Sequence, residues 1–267
     1  MVKLTIDLIG NKAQFAGMHF SHLMHNIPRP FSADHGHEAR QFFAADGEEI
    51  QDFVAAVAGS SPYLKGLIEK EHQWLRGAFA QPDAALKVEF SNLKATAGSD
   101  LMSALRRAKR RVALWTALCD LAGVWALEEV TEALSKFADL ACQISLNHAL
   151  KVQLQRGKIP TRKPETDPAG LGMFVLAMGK LGANELNYSS DIDLICFFDE
   201  SYFASVDVFE ARAGFIRATK NMVALLNDIT AEGYVFRTDL RLRPDPSVTP
   251  VCMGVEAAER YYESRGR

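Results

Sequence analysis

Three aspartates carry spacing that suits chemistry at phosphorus: Asp191 and Asp193, separated by one isoleucine, and Asp239 further along. Side chains alternate along a strand, so Asp191 and Asp193 would share one face and could share bound cations. Carboxylates that close repel each other unless something positive lies between them. Mg²⁺ suits such a place, because it takes carboxylate oxygens and leaves positions for water and phosphate. Asp239, on a neighbouring strand, would complete a two-metal site able to stabilise the attacking and leaving oxygens of an in-line displacement. Ahead of the pair, "MGKLG" places Gly179, Lys180 and Gly182 in a turn. The glycines let backbone N–H groups approach a phosphate closely, and Lys180 or a following helix N-terminus adds positive potential. Arg241 and Arg243 follow Asp239 and could serve an anion, or could pair with surface acids.

The flanking elements decide whether these residues meet. Met173–Met178 is a short apolar run of buried-strand type, and Leu194–Phe198 is another that ends at Asp199. The glycines therefore sit in a turn leaving one strand, and the aspartates open the next. A helix is expected from about Val206 to Ala231, with Gly233 as its C-cap. "YVFRTDLRLRP" then alternates as a strand, with Val235, Arg237, Asp239, Arg241 and Arg243 on one face and Pro244 as its stop. Alone each piece is weak, since an Asp-x-Asp pair often just ends a strand.

The rest of the chain reads as helical support. Residues 1–45 are the least regular, with "NIPRPFSADHGHEA" read as loop. Five of the seven histidines fall there (His19, His22, His25, His35, His37), but no cysteine or tight acidic partner completes a ligand set, which favours a peripheral segment over a metal site. Residues 46–158 form a helical subdomain, restarted at Ser60-Ser61-Pro62 and continued by helices from Ser99 or Asp100 to Gly123 and from about Ala126 to Gln155. Its basic run, Arg106, Arg107, Lys109, Arg110 and Arg111, reads as a solvated face in preference to an anion-binding or docking surface. Residues 159–171 read as a linker, 172–253 as the catalytic domain, and 254–267 as the start of a truncated helical region.

Composition sets bounds. A net charge of −3 lacks the basic excess that nucleic-acid binding favours, so no nucleic-acid partner is expected. The four cysteines are far apart without a CxxC pair, as core thiols in a reducing compartment would be. "MVKLTIDLIG" lacks a signal peptide's continuous apolar segment, and no uncharged run approaches the ~20 residues of a membrane helix. A cytoplasmic protein without a membrane partner is expected.

The ordered set is far more specific than its parts. Strand, G-K-x-G turn, strand opening with S-D-x-D, helix, then a strand with the third aspartate is the order of DNA polymerase β-type nucleotidyltransferases. No GK[ST] or G-x-G-x-x-G turn appears. Moreover, "LAMGKLGANELNYSSDIDLICFF" with "VFRTDLRLRPDPSVTP" resembles the glutamine synthetase adenylyltransferase/adenylyl-removing enzyme family, and looser likeness extends over about residues 50–267. That family has two similar catalytic halves, which attach AMP to a tyrosine of glutamine synthetase and remove it. This chain has one such block, most like the N-terminal, deadenylylating half.

The resemblance implies an α+β fold, a helical N-terminal subdomain followed by a DNA polymerase β-like nucleotidyltransferase domain. It implies Mg²⁺ held by Asp191, Asp193 and Asp239, with Asp239 on the metal that activates the nucleophile. Gly179, Lys180, Gly182 and Ser190 would line the phosphate side, and Arg241 or Arg243 would lie near the nucleotide. The implied partners are glutamine synthetase, ATP, ADP, phosphate and the nitrogen-regulatory PII signal protein. Two other classes stay open: a nucleotidyltransferase acting on nucleic acid, and a non-catalytic regulatory module.

Overall fold

The computed structural model describes residues 17–160 and 171–265. The "MVKLTIDLIG" stretch, most of the expected linker and the last two residues lie outside the described residues. The fold is α+β, and the chain divides into two compact units. One takes the residues up to Ala95 together with Arg107–Leu134; the other takes Thr96–Arg106 together with Ser135 onward.

The first unit is helical. It holds α1 (Ala33–Gln41), α2 (Glu48–Ser60), α3 (Pro62–Ala80), α4 (Ala85–Ala95), most of α5 (Leu101–Leu121) and the start of α6 (Leu127–Gln155). Ser61 separates α2 from α3 as the sequence predicts, its hydroxyl accepting from the Leu64 amide with Pro62 opening the new helix. The core is aromatic: Phe20 lies 5.2 Å from Phe79 and 5.1 Å from Trp115, ring centre to ring centre.

Two expectations fail in this unit. The stretch read as loop contains α1, capped by Ser32 accepting from the His35 amide. Gly36, which looks like a helix breaker, lies where α1 meets α2: a Cβ there would stand 2.7 Å from the Ala55 carbonyl oxygen. The basic run is also no uniform solvated face. Arg107 is exposed, but Arg110 and Arg111 both donate to the buried Glu71, and Arg111 also donates to the buried Glu89. Buried carboxylates need such partners, so helix periodicity alone misassigns these arginines. Of the five histidines of the segment read as peripheral, His19, His22, His25 and His37 are exposed and His35 is half-buried.

The second unit is built on a mixed sheet of β1 (Met173–Met178), β2 (Ile192–Phe198), β3 (Thr238–Asp239) and β4 (Cys252–Gly254). β1 runs antiparallel to β2, from Met173 opposite Phe198 to Met178 opposite Asp193. β3 and β4 both run parallel to β2, β3 beside its start and β4 beside its end. Helix α8 (Val208–Asn227) packs on the sheet, with Phe215 5.0 Å from Phe198. The other face buries Ile195 and Phe197 with Met253 and Ala258, the last from α9 (Val255–Arg265). The four cysteines are all buried and free.

Two more expectations are corrected here. The alternating strand over 234–243 is paired only at Thr238 and Asp239. Before it, the Val235 and Phe236 amides both donate to Leu226 O at the end of α8, so they are spent on that helix. After it, Arg243 draws the chain into a loop by donating to the carbonyls of Leu240, Pro246 and Thr249. Nor does Gly233 cap the helix. α8 ends at Asn227, and Gly233, at φ +87°, closes a tight turn with Thr230. The capping is done by a side chain. Arg106, 1% exposed, donates to the carbonyls of Leu225, Asp228 and Gly233 and to Met102 O on its own helix.

Candidate active site

The site forms where β1 turns into β2 and where β3 joins it. β1 ends at Met178, and a single helical turn, α7 (Gly179–Gly182), follows. Gly179 takes φ +56°, and a Cβ there would come within 3.0 Å of Asp193 Oδ2. Glycine is therefore required twice over, by backbone conformation and by the carboxylate packed against it. Gly182 is needed for a different reason: its Cβ would lie 2.5 Å from Ala177 O. Lys180 is exposed at this turn. The loop onward is anchored by the Leu186 amide, which donates to the buried Ser135 hydroxyl at 3.1 Å.

Asp191 is exposed just ahead of β2, and Asp193 is half-buried on the strand. Asp239 pairs in parallel register with Asp193, so the two carboxylates leave the same face of the sheet. Burial pushes the Asp193 carboxyl above the usual carboxylate range; Asp191 and Asp239 add to the rise, and Arg241 works against it. Asp239 goes the other way, held below that range chiefly by hydrogen bonds from Arg241.

Arg241 grips both oxygens of Asp239. Its backbone N–H donates to Oδ1 at 2.7 Å, Nε to Oδ2 at 2.8 Å, and Nη2 to Oδ2 at 2.5 Å. Asp239 is thus paired with an internal cation. Among the described residues, no group of three or more His, Cys, Asp or Glu side chains stands as a ready ligand set. The donor types still fit a hard divalent cation: hard carboxylate oxygens gathered at one end of the sheet, with charge at Asp193 that its neighbours disfavour.

A cleft of about 440 Å³ opens on the Asp191–Asp239 side, lined by those two residues with Val223, Arg237, Thr238, Leu240 and Arg241. Asp193 and the Gly179 turn are not part of its lining. The other expected site residues are placed less simply. The Ser190 hydroxyl donates to Asn187 Oδ1 at 2.7 Å inside its own loop. Arg243 is spent on the carbonyls of its loop, which separates it from Arg241 in role.

Two residues were named in the sequence but given no part in building the site. Arg237 lines the cleft and donates from Nη2 to the Ser189 carbonyl at 2.9 Å, tying the third-aspartate strand to the loop before Asp191. The alternation that placed it on Asp239's face was the available signal. Arg106 secures the end of α8, from which the chain leads to β3, and nothing in its local sequence points to that role.

Comparison with known proteins bears on the same residues. The family model described as Glutamate-ammonia ligase adenylyltransferase matches residues 32–267. A protein of Bradyrhizobium sp. named bifunctional glutamine synthetase adenylyltransferase/adenylyl-removing enzyme is 43% identical over 223 residues, covering 81% of this chain and 23% of the relative. Proteins of the same name from Rhodopseudomonas palustris and Mesorhizobium japonicum are 41% and 42% identical, covering 88% and 85% of this chain and 25% and 24% of themselves. The chain thus spans about a quarter of the length of these curated relatives.

Proposed function

The chain belongs to the glutamate-ammonia ligase adenylyltransferase family, and from that premise we propose that it carries a Mg²⁺-dependent nucleotidyltransferase site of DNA polymerase β type, which regulates glutamine synthetase by phosphorolytic removal of AMP from a tyrosine. In that reaction a phosphate oxygen attacks the phosphorus of the adenylyl-tyrosine diester. The bond from phosphorus to the tyrosine oxygen breaks, ADP leaves, and the tyrosine oxygen takes up a proton. Asp191, Asp193 and Asp239 would hold Mg²⁺, which when bound supplies charge neutralisation at the phosphoryl oxygens. The chain's own part is positioning. The tight turn at Gly179 leaves room beside the Asp193 carboxylate, Lys180 offers a nearby positive charge, and Arg237 and Arg241 line the cleft on the Asp239 side.

The observation that carries this reading is the parallel register of Asp193 with Asp239. The deadenylylating direction rests on the likeness of "RTDLRLRPDP" and the preceding helices to the family's N-terminal half. PII is carried over as a regulatory partner from the family resemblance. The test is direct: chain, adenylylated glutamine synthetase, Mg²⁺ and phosphate should release ADP. Incorporation of AMP from ATP into unmodified glutamine synthetase would shift the reading to adenylylation. Metal-dependent nucleotide binding with neither reaction would make the chain a regulatory module instead.

A further inference from the structure

Arg241 is bonded in a way that a resident active-site cation would not permit. Its guanidinium occupies both oxygens of Asp239, the carboxylate assigned above to the nucleophile-side metal. Asp191 and Asp193 also attract it, so the arginine answers the charge of all three acids. The side chain is 83% exposed, against 17% for Asp239. An ion pair so open to water on the arginine side is weak, and a dication bound by several carboxylate oxygens outcompetes it.

The other nearby arginines cannot play this part. Arg243 is fixed by carbonyls of its own loop, and Arg237 donates to Ser189 O. In contrast, Arg241 also has a backbone tether. Its N–H bond to Asp239 Oδ1 does not depend on where the side chain points, so the residue stays at the site after the guanidinium leaves. The residue already lines the cleft with Asp191 and Arg237, and a guanidinium's donors are spaced for bidentate contact to a phosphoanion.

We infer that Arg241 is an exchangeable counter-ion: it neutralises Asp239 while no divalent cation is bound, and cation entry displaces it to become a phosphoanion donor. This rests on the site reading of the previous subsection. It imposes an order, with cation first and phosphoanion second, because the arginine is not available to the anion until the metal has taken its place.

The test uses Mn²⁺ as the probe cation, titrated without nucleotide into the full chain and followed by the free-ion paramagnetic signal at fixed ionic strength. Arg241→Gln should bind Mn²⁺ about three- to tenfold more tightly than wild type, since the competing guanidinium is gone. With Mn²⁺ saturating, the same variant should bind inorganic phosphate at least about tenfold more weakly, the loss of one charge-assisted donor pair. Asp193→Asn should lose most Mn²⁺ binding, and melting curves of both variants establish that they fold. If Arg241→Gln binds Mn²⁺ no more tightly than wild type while Asp193→Asn loses it, the exchange is overturned and the metal site stands. If phosphate binding is unchanged, the anion-donor half is overturned. Should Asp193→Asn bind Mn²⁺ as wild type does, or wild type and Arg241→Gln both fail to bind it, the site reading falls and takes this inference with it.

Discussion

Asp193 on β2 and Asp239 on β3 are paired residue to residue in a parallel register, although 45 positions separate them in the chain. Side chains alternate with period 2, so a one-residue slip in this pairing would send Asp239 to the opposite face, toward α8. The register is held from both sides: Ile192 donates its amide to the Arg237 carbonyl, and Arg237 donates its side chain to the Ser189 carbonyl.

Gly179→Ala tests the turn against Asp193. The substitution puts a side chain at φ +56° and within 3.0 Å of the Asp193 carboxylate. We expect a loss of about 1–2 kcal/mol in denaturant unfolding, from the left-handed backbone alone. Turnover should fall as well, because Asp193 must shift away from its position. Unchanged stability and turnover would mean that the turn relaxes freely.

Arg106→Met tests the cap on α8. Removing the guanidinium breaks part-buried hydrogen bonds to the carbonyls of Leu225, Asp228 and Gly233. A loss of about 3 kcal/mol or more is expected from urea unfolding, whereas exposed Arg107→Met should stay within about 0.5 kcal/mol. Equal effects from the two neighbours would remove the distinction between them.

The contrast between these arginines also marks what the sequence could convey. β1, the Gly179 turn and β2 are legible because their signals are local: apolar runs bounded by glycine and by charge. Helices α2 to α6 are legible for the same reason, through periodicity and a Ser-Pro restart. What escapes is whatever depends on partners distant in the chain. The alternation over 234–243 is real, but the amides before Thr238 go to α8 and the loop after Asp239 is gathered by Arg243. Arg106, Arg110 and Arg111 look like surface until Glu71, Glu89 and the α8 carbonyls are brought to them. At the site, residue types and their order were readable, whereas the Arg241 grip on Asp239 was not.

Acid titration of the metal-free chain should separate the two paired aspartates. Asp193 has a raised folded pKa, so its contribution favours the fold at low pH and is lost as pH rises through that value. Asp239 has a depressed folded pKa, so its contribution is present above the unfolded value and is lost as pH falls through the folded one. With chelator present, Asp193→Asn should therefore melt close to wild type in acid and above it at neutral pH. Asp239→Asn should show the reverse, melting below wild type at neutral pH. Parallel melting-temperature profiles across the range would contradict both assignments.

The most direct measurement is ADP release from adenylylated glutamine synthetase with phosphate and Mg²⁺, for wild type against Asp193→Asn. Asparagine keeps the shape and removes one hard ligand and its charge, so turnover should fall ~10³-fold or more. Binding of the adenylylated partner should change far less. Active wild type with undiminished turnover in Asp193→Asn would contradict the account at its centre.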